Sequence, residues 1–339
     1  MTTLLKHSTR IGSVLLCMVL ACSGALAQST ARPDLEGMWT NASLTSLTRS
    51  RDQESLVVSA EEARIIAAAV PTGGVEGGFD DGDGVNDTPE VSGDDFGTRA
   101  YNQFWVEPGS NLALVKGEYR TSYIVNPENG QVPYLENPTT SFQRINYGSR
   151  YVTGVGDASG PEALPLAERC IISERRTGPA MQSALYNNNY QFVQTDDYVV
   201  INVEQIHDAR IIPTFSSAEE ARANHRPAAL QQYMGDSVGW YEGGALVVET
   251  INVNPQQMQE SSTAITGNGK VTERFLRYSD TEIVYSFTVE DPDLYSQPWT
   301  AELSFHALDG QLYEYACHEG NYSMQGILAG ARRLEIEQN

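Results

Sequence analysis

The chain has 339 residues and carries 22 Lys and Arg against 44 Asp and Glu, a formal net charge of −22. A field of this sign repels the phosphate backbone of nucleic acids and anionic lipid surfaces, so the composition excludes functions that depend on binding them. A chain of this length buries a sizeable core, as one large domain or as two closely joined ones.

The first residues have the pattern of an export signal. Lys6 and Arg10 precede an apolar run at 11–21, and small residues follow up to Ala27. The run is too short to span a bilayer, so the pattern predicts a signal peptide over 1–27 and a periplasmic or secreted mature chain. No later apolar stretch is long enough for a transmembrane segment. The alternative is a lipoprotein anchored at Cys22, because the residues before it loosely resemble a lipobox.

Two cysteines, Cys170 and Cys317, remain after signal cleavage. A lone pair in an oxidising compartment predicts a disulfide, and closing so long a loop stabilises the fold strongly. The alternative is a pair of buried, unpaired thiols that pack as small hydrophobic groups. Neither cysteine belongs to a Cys-x-x-Cys pair, which disfavours a metal site.

The segment at 28–100 precedes the regular strand pattern and is predicted to be separate from a β domain at 101–339. It contains a predicted helix at 59–70. Ser59 caps this helix, Glu61 and Glu62 interact favourably with the positive end of its dipole, and Pro71 ends it. Residues 72–98 are rich in Gly and Asp and contain few large apolar groups, so they are predicted to form a surface loop.

Three carboxylates inside that loop form a candidate calcium site. Asp81, Asp83 and Asp87 alternate with Gly and Asn, the spacing with which acidic loops wrap oxygen ligands around a hard cation. The alternative is a solvated acidic loop that binds no ion.

From Tyr119 onward the apolar residues recur with a period of two, which is typical of strands. Short strands joined by tight turns predict an antiparallel meander, closing into a lipocalin-like barrel or a sandwich, with a few short helices. The Gly37-x-Trp39 opening is similar to the first strand of lipocalin barrels. A helix is expected near 217–233. The predicted strands are 120–125, 131–135, 191–195, 198–204, 206–213, 238–241, 245–253, 271–278, 282–290, 299–308 and 311–317.

Ionisable residues on these strands form three candidate groups. In the first, strand alternation places Glu204, Asp208 and Arg210 on one face and His207 on the other. His207 is a candidate acid/base residue, although a histidine among apolar neighbours is more often a satisfied core residue. Asp208 and Arg210 also fit a simple ion pair on one face.

The second group follows the last predicted strand. His318 and Glu319 lie directly after Cys317, and a bridge to Cys170 would brace them next to Glu168. A histidine held beside carboxylates transfers protons at neutral pH, which makes His318 the first candidate for an acid/base residue. The alternative is a histidine that caps a turn.

The third group joins Glu273 and Arg274 on one strand to Glu290 at the end of the next, with Trp299 just beyond. Carboxylates beside an exposed indole at a barrel mouth suit sugar or aromatic ligands. The alternative is a tryptophan that plugs the end of the barrel.

The motifs of nucleotide, phosphate-loop and serine-hydrolase sites and of zinc peptidases are missing from the sequence, which favours chemistry that requires no cofactor. Several strings together resemble an uncharacterised family of secreted bacterial proteins, and this resemblance covers most of the chain after residue 100. It implies no known activity. The strings are 101–105, 120–122, 168–170, 186–190, 207–212 (HDARII), 240–243, 246–250, 273–275 (ERF), 288–292 (TVEDP), 298–300 (PWT) and 313–322 (YEYACHEGNY).

Two functions fit these residues. The first is an exported acid/base enzyme, a hydrolase or lyase, acting on a small polar or saccharide-like substrate in a barrel cavity. The second is a ligand-binding or scaffold protein without catalytic activity. The enzyme requires His207, His318, Arg120 and Glu290 to converge in one pocket. Its assigned residues are His318, His207, Glu319 and Glu290 for catalysis, and Arg120, Arg210, Arg274, Trp299 and Tyr315 for substrate binding.

Overall fold

The computed structural model describes residues 32–70, 107–136, 158–172, 177–184, 186–254, 256, 263–319 and 321–338. The predicted signal peptide, Cys22 and the Asp81, Asp83 and Asp87 loop lie outside these ranges. The described residues form thirteen strands and three α-helices. The strands are β1 (Gly37–Thr40), β2 (Val57–Val58), β3 (Leu114–Val115), β4 (Glu118–Arg120), β5 (Ile124–Asn126), β6 (Asn189–Gln194), β7 (Tyr198–Val203), β8 (Ala209–Phe215), β9 (Asp236–Glu242), β10 (Ala245–Ile251), β11 (Lys270–Ser279), β12 (Glu282–Glu290) and β13 (Trp299–Ala307), and the helices are α1 (Ala60–Ala69), α2 (Ala218–Ala223) and α3 (Tyr322–Gln338).

Nine of the strands close into a barrel, in the order β1-β6-β7-β8-β9-β10-β11-β12-β13. Closure comes from β1, which pairs with β6 on one side and with β13 on the other. All the pairings are antiparallel except a short parallel contact between β8 and β9. The predicted closed, mainly β fold is therefore confirmed, and β1, which belongs to the N-terminal segment, is one of the nine barrel strands. Closure removes the exposed strand edges that an open sheet of this size would present.

The two ends of the barrel differ. We call the end where tight turns connect β6 to β7, β9 to β10 and β11 to β12 the narrow end, and the opposite end the wide end. The β9–β10 turn consists of Gly243 and Gly244, which have positive φ angles of +59° and +72°. A two-residue hairpin that matches the right-handed twist of its strands requires positive φ at both central positions. At the wide end the connections are long, so side chains distant in sequence meet there.

The barrel interior is packed with aromatic side chains. Phe192 packs edge-on against Phe275 and Phe305, with ring centroids 5.7 and 5.6 Å apart. These rings lie on alternate residues of their strands, which places all of them on the inner face. Among the described residues, this packed core occupies the barrel interior, where the sequence suggested a ligand cavity. The largest side chains in this core are those of Trp39, Tyr190, Phe192, Phe275, Tyr285, Phe287, Trp299 and Phe305.

Trp39 closes the narrow end. Its indole Nε1 donates to the carbonyl of Leu35 at 3.0 Å, and the guanidinium of Arg277 lies 4.8 Å from the ring centroid. Arg277 in turn donates to the carbonyls of Asp34 and Asp280 at 3.0 and 2.8 Å. The Gly-x-Trp opening therefore serves to seal the barrel at this end.

The wide end is closed by residues 177–184 of the same chain. Ala180 and Met181 are buried in the core, and the Met181 amide donates to the hydroxyl of Tyr285 at 3.0 Å. Gly178 has φ +96° and passes so close to Arg210 that a Cβ there would lie 2.7 Å from Nη1. Only glycine fits this approach. We call residues 177–184 the plug.

Two of the predicted strands do not form. The predicted return strand at 131–135 makes only an isolated bridge between Tyr134 and Tyr295, because Gly130 and Gln131 hydrogen bond to the backbone of Arg49. The predicted strand at 311–317 is irregular, because β13 already pairs with β12, β1 and β5 and has no free edge.

Other element boundaries also differ from prediction. The predicted strand at 206–213 begins at Ala209, because a short 3-10 helix at Gln205–His207, with Ile206 at φ +58°, interrupts the alternation. The helix expected near 217–233 ends at Ala223, since Pro227 follows closely and disfavours helical geometry before it. The C-terminal helix α3 was not predicted.

A disulfide joins Cys170 to Cys317 across 147 residues, which confirms the predicted bridge. Such bridges persist in oxidising compartments, and this one is consistent with an extracytoplasmic location. Within the described ranges, every helix is too short or too polar to cross a bilayer.

Candidate functional site

A pocket of about 440 Å³ lies outside the barrel wall, beside β13. Its floor is the outer face of β13, and its walls are the loop that follows β1 and the segment at 109–114. This volume is within the range of small-molecule sites, about 300–1,000 Å³. The lining residues are Asn41, Ala42, Ser43, Gly109, Ser110, Asn111, Leu112, Ala113, Leu114, Tyr119, Tyr123, Leu303, Ser304 and His306.

The polar groups of this lining are neutral hydroxyls and amides together with one imidazole. The Tyr123 hydroxyl is hydrogen bonded to the hydroxyls of Ser43 and Ser183, the latter at 2.6 Å. Burial raises the pKa of Tyr123, although the two serine hydrogen bonds act in the opposite direction, so its hydroxyl stays protonated at neutral pH. The lining contains no Lys, Arg, Asp or Glu, in a chain where these are 19% of the residues.

His306 is the one titratable imidazole in the pocket lining. Its Nε2 lies 3.0 Å from the carbonyl oxygen of Leu114, which can only accept a hydrogen bond. Nε2 therefore carries the proton, and in the neutral ring Nδ1 is left as an acceptor. The sequence placed His306 on a late strand but gave no signal of this pocket, because the lining comes from three segments far apart in the chain.

The pocket floor continues toward a second group of polar residues. Thr40 on β1 faces His306 on one side and Asn189 on the other. Neighbouring strands lie about 4.8 Å apart, so the backbones of His306 and Asn189 are separated by roughly 10 Å on the same face. The two groups belong to one continuous surface.

We call this second group the carboxylate cluster; it consists of Glu107, Asn189, Glu204 and Gln205. The Asn189 Nδ2 donates to Glu204 Oε2 at 2.9 Å. Asn189 also acts to lower the pKa of Glu107, although this effect is smaller than those that raise it. The backbone amide of Tyr313 approaches Glu204 Oε1 at 3.4 Å. Burial, and then the charge of Glu204, raise the pKa of Glu107. Three motifs that the sequence singled out, around 186–190, 204–210 and 313–322, therefore meet here.

A buried ion pair lies inside the barrel beneath the plug. Arg210 binds Glu273 through two parallel hydrogen bonds of 2.9 and 2.5 Å, and Tyr285 donates to the same carboxylate at 2.6 Å. Burial by itself lowers the pKa of Arg210, but Glu273 more than offsets this, so the pKa is raised. Both Nη atoms of the guanidinium are thus held by the protein's own groups, and the predicted role of Arg210 in substrate binding has no support in this arrangement.

Arg120 lies outside the barrel, on the small sheet of β2, β4 and β3. It pairs with Glu118 at 3.0 Å and with Glu302 of β13 at 3.4 Å, and Lys116 reaches Glu302 at 2.8 Å. These contacts hold the small sheet on the barrel wall.

The remaining predicted residues are dispersed. His318 and Glu319 are exposed and Tyr315 is partly buried, all three in the irregular segment after β13. Arg274 is exposed and donates to the carbonyl of Glu242 at 3.4 Å, so it faces away from the interior. For His207 the structure describes the backbone, in the 3-10 helix, but not the side chain.

Glu290 and Trp299 also differ from the arrangement that the sequence suggested. Glu290 forms a partly exposed ion pair with Lys270 at 2.9 Å. Trp299 is fully buried and packs against Phe287 and Tyr295, so it is not the exposed platform expected for a sugar ring.

Arg120 and Glu290 do not converge. Ser286 on β12 faces Glu302, the partner of Arg120, and Glu290 lies four residues further along the same strand. At about 3.3 Å per residue this is a separation of roughly 13 Å. The pocket that the enzyme hypothesis required from these residues is therefore not formed by them.

One buried histidine was overlooked in the sequence. His225 Nδ1 is hydrogen bonded to Asp236 at 2.8 Å, and its Nε2 lies 3.5 Å from Glu249. The Arg226 amide also donates to Asp236, at 2.7 Å. These contacts anchor the connection between β8 and β9 to the barrel wall. No periodic signal could reveal them, because the three side chains come from a loop and two strands.

No protein-family model, curated protein or solved structure matches this chain. The resemblance to the secreted bacterial family, based on the motifs given above, stays a prediction, and the site has to be interpreted from its own chemistry.

Proposed function

We propose that this protein is an exported binding protein for a small, neutral, hydroxyl-rich ligand such as a mono- or disaccharide, held in the 440 Å³ pocket between β13 and the segment at 109–114. The observation that carries this proposal is the lining: eight of its residues have neutral side chains that can donate or accept hydrogen bonds, and none has a charged carboxylate, ammonium or guanidinium group. Such a surface suits hydroxyl groups and gives a formally charged ligand no counter-charge.

The position of the pocket supports the same function. The packed core and the plug fill the barrel axis, so a ligand would bind beside the wall rather than inside the barrel. The predicted signal peptide and the disulfide support action outside the cytoplasm, in the periplasm or beyond it.

Proton transfer is a second candidate function of this pocket, and His306 favours it. Its Nε2–H is held by the Leu114 carbonyl, which leaves Nδ1 as a base that a bound hydroxyl group can reach. A cofactor-free hydrolase or lyase acting on the same class of ligand would use this residue rather than His318.

The test is a thermal-shift screen of the mature protein with neutral mono- and disaccharides and polyols, followed by calorimetric titration of each hit. Ser110 lines the pocket and is exposed, so Ser110→Trp should fill the mouth and abolish binding. Ser323, exposed on α3, provides the matched control Ser323→Trp, which should bind like the wild type.

A failure of every neutral polyol to bind, or equal binding by Ser110→Trp and the wild type, would contradict the proposal. The second candidate is tested by following each bound compound over time. Its conversion by the wild type but not by His306→Gln would establish an enzyme, whereas unchanged compounds with both proteins would leave a binding protein.

A further inference from the structure

The proposed ligand pocket extends inward where the barrel wall changes partner strands. β1 pairs with β13 as far as Thr40, which lies opposite His306, and β5 pairs with β13 at Ala301. The stretch of β13 between these two pairings contributes Leu303 to the pocket lining. Leu303 and another lining residue, Asn41, are only 1% and 2% exposed. The inner part of the pocket is therefore formed by buried side chains.

The Asn41 side chain has one polar atom that is bonded and one that is left over. Its Nδ2 donates to the hydroxyl of Tyr190 at 3.3 Å, whereas its Oδ1 is buried and has no hydrogen-bond partner among the described residues. Tyr190 belongs to the barrel core and is absent from the described pocket lining. Because Nδ2 and Oδ1 diverge from the same carbon atom, Oδ1 is directed away from Tyr190. A buried acceptor without a donor is costly and rare in folded proteins, so this atom requires an explanation.

The hydroxyl groups of the inner lining are already engaged within the protein. The Tyr123 hydroxyl is hydrogen bonded to the hydroxyls of Ser43 and Ser183. The Ser304 hydroxyl donates to Glu282 at 2.7 Å. Within the described part of the lining, the deepest polar atom that is left for a ligand is therefore an acceptor.

We propose that Asn41 is the specificity-determining residue of this pocket and that its Oδ1 accepts a hydrogen bond from the innermost hydroxyl group of the ligand. The inference rests on the proposed function and narrows its ligand class, because a ligand without a donor at this position leaves Oδ1 unpaired. His306 Nδ1, the acceptor of the neutral ring, lies in a less buried part of the same lining. The pocket therefore favours a polyol with two donor hydroxyls over a ligand that presents an ether or carbonyl oxygen at the inner position.

A ligand hydroxyl reaches Oδ1 through a modest rotation of the Asn41 amide. The torsion that turns an asparagine amide is broad, without the deep staggered wells of aliphatic side chains. The hydrogen bond from Nδ2 to Tyr190, at 3.3 Å, is longer than usual and resists such a rotation only weakly. If the amide were reversed, Nδ2 would face the pocket and the ligand would have to supply an acceptor, which is the opposite requirement.

The experiment is a calorimetric titration of the mature protein with glucose, galactose and mannose, followed by the monodeoxy and monodeoxyfluoro derivatives of the sugar that binds most tightly. Fluorine is close to a hydroxyl group in size but cannot donate a hydrogen bond. At one ring position we expect both replacements to raise Kd by about 10-fold to 100-fold, because they leave Oδ1 buried without a donor.

Two variants test whether Asn41 causes this discrimination. Asn41→Leu and Asn41→Ala both remove Oδ1, so each should bind the parent sugar and the two derivatives with Kd values within about 3-fold of one another. The Ala variant adds no bulk and serves if the Leu variant does not fold. Asn202→Leu is the matched control. Asn202 lies on β7, outside the described pocket lining, and this variant should discriminate like the wild type.

Several results would overturn the inference while the proposed function stands. Full discrimination in the Asn41 variants, or a parallel loss of affinity for every sugar, would assign Asn41 a purely structural role. A deoxyfluoro sugar that binds as well as its parent at every ring position would show that the inner position requires no donor. Binding of other polyols, but of none of these three sugars, would also overturn it. If no neutral polyol binds, the proposed function fails and this inference fails with it.

Discussion

The two ends of the barrel are closed in different ways. The narrow end is closed by tight turns and by one tryptophan beneath an arginine, and its polar contacts involve mainly backbone carbonyls at the surface. The wide end is closed by the plug, which lies over a buried ion pair. The narrow end thus depends on tight turns and a cation over a ring, whereas the wide end depends on an inserted segment of chain and a buried charge pair.

The largest expected effect comes from breaking the buried ion pair at the wide end. Arg210→Met leaves Glu273 charged in the barrel interior, so the free energy of unfolding should fall by about 4 kcal/mol. Arg210→Met/Glu273→Met removes both charges and should recover most of that loss. Urea denaturation of the three proteins measures both effects. A double variant that is no more stable than the single one would show that hydrogen bonds to the plug, rather than the unpaired charge, dominate.

Removing the disulfide should have the next largest effect. Cys170→Ser/Cys317→Ser releases a long loop in the unfolded chain, and we expect a loss of about 3 kcal/mol in the same urea assay. Reduction of the wild type with dithiothreitol should reproduce this loss. If the reduced wild type were as stable as the oxidised protein, the stability of the fold would not depend on the bridge.

At the narrow end the expected change is smaller. Arg277→Ala removes the cation over Trp39 and the packing of the side-chain stem, which together should cost about 1 kcal/mol. Arg274→Ala is the control: Arg274 is an exposed arginine of the same strand with no ring contact among the described residues, so this change should alter stability by less than about 0.5 kcal/mol. Equal losses in the two variants would show that the ring contact contributes nothing measurable.

The smallest effect is a pH dependence at the carboxylate cluster. The pKa of Glu107 is raised in the folded protein, so its protonated form is favoured there. The stability contributed by protonated Glu107 is fully present below the ordinary pKa of glutamate. This stability is lost as the pH rises through the raised pKa that Glu107 has in the folded protein. In EDTA, Glu107→Gln should therefore be slightly more stable than the wild type at pH 7, and the difference should diminish toward pH 4.

Thermal melts of both proteins across this pH range measure the difference. Glu290→Gln, whose exposed pair with Lys270 contributes little, controls for the general loss of negative charge. A variant that is less stable than the wild type at pH 7 would contradict the direction of the Glu107 shift.

Strand alternation, turns and the cysteine pair can be read from the sequence alone, because these depend on neighbouring residues or on simple chemistry. They predict an antiparallel β meander closing into a barrel or a sandwich, the helix at Ala60–Ala69 with its cap at Ser59, and the bridge between Cys170 and Cys317. The Gly-x-Trp opening likewise marks the first strand of the barrel.

Which polar residues meet in space depends on the tertiary structure. The pocket lining comes from the loop after β1, the segment at 109–114 and β13, and the carboxylate cluster joins Glu107 to residues almost a hundred positions away. Strand alternation says which face a side chain occupies but not which distant strand lies beside it. The sequence favoured His318 because of the residues that flank it in the chain. His306 instead lines the pocket because the fold places β13 against the segment at 109–114.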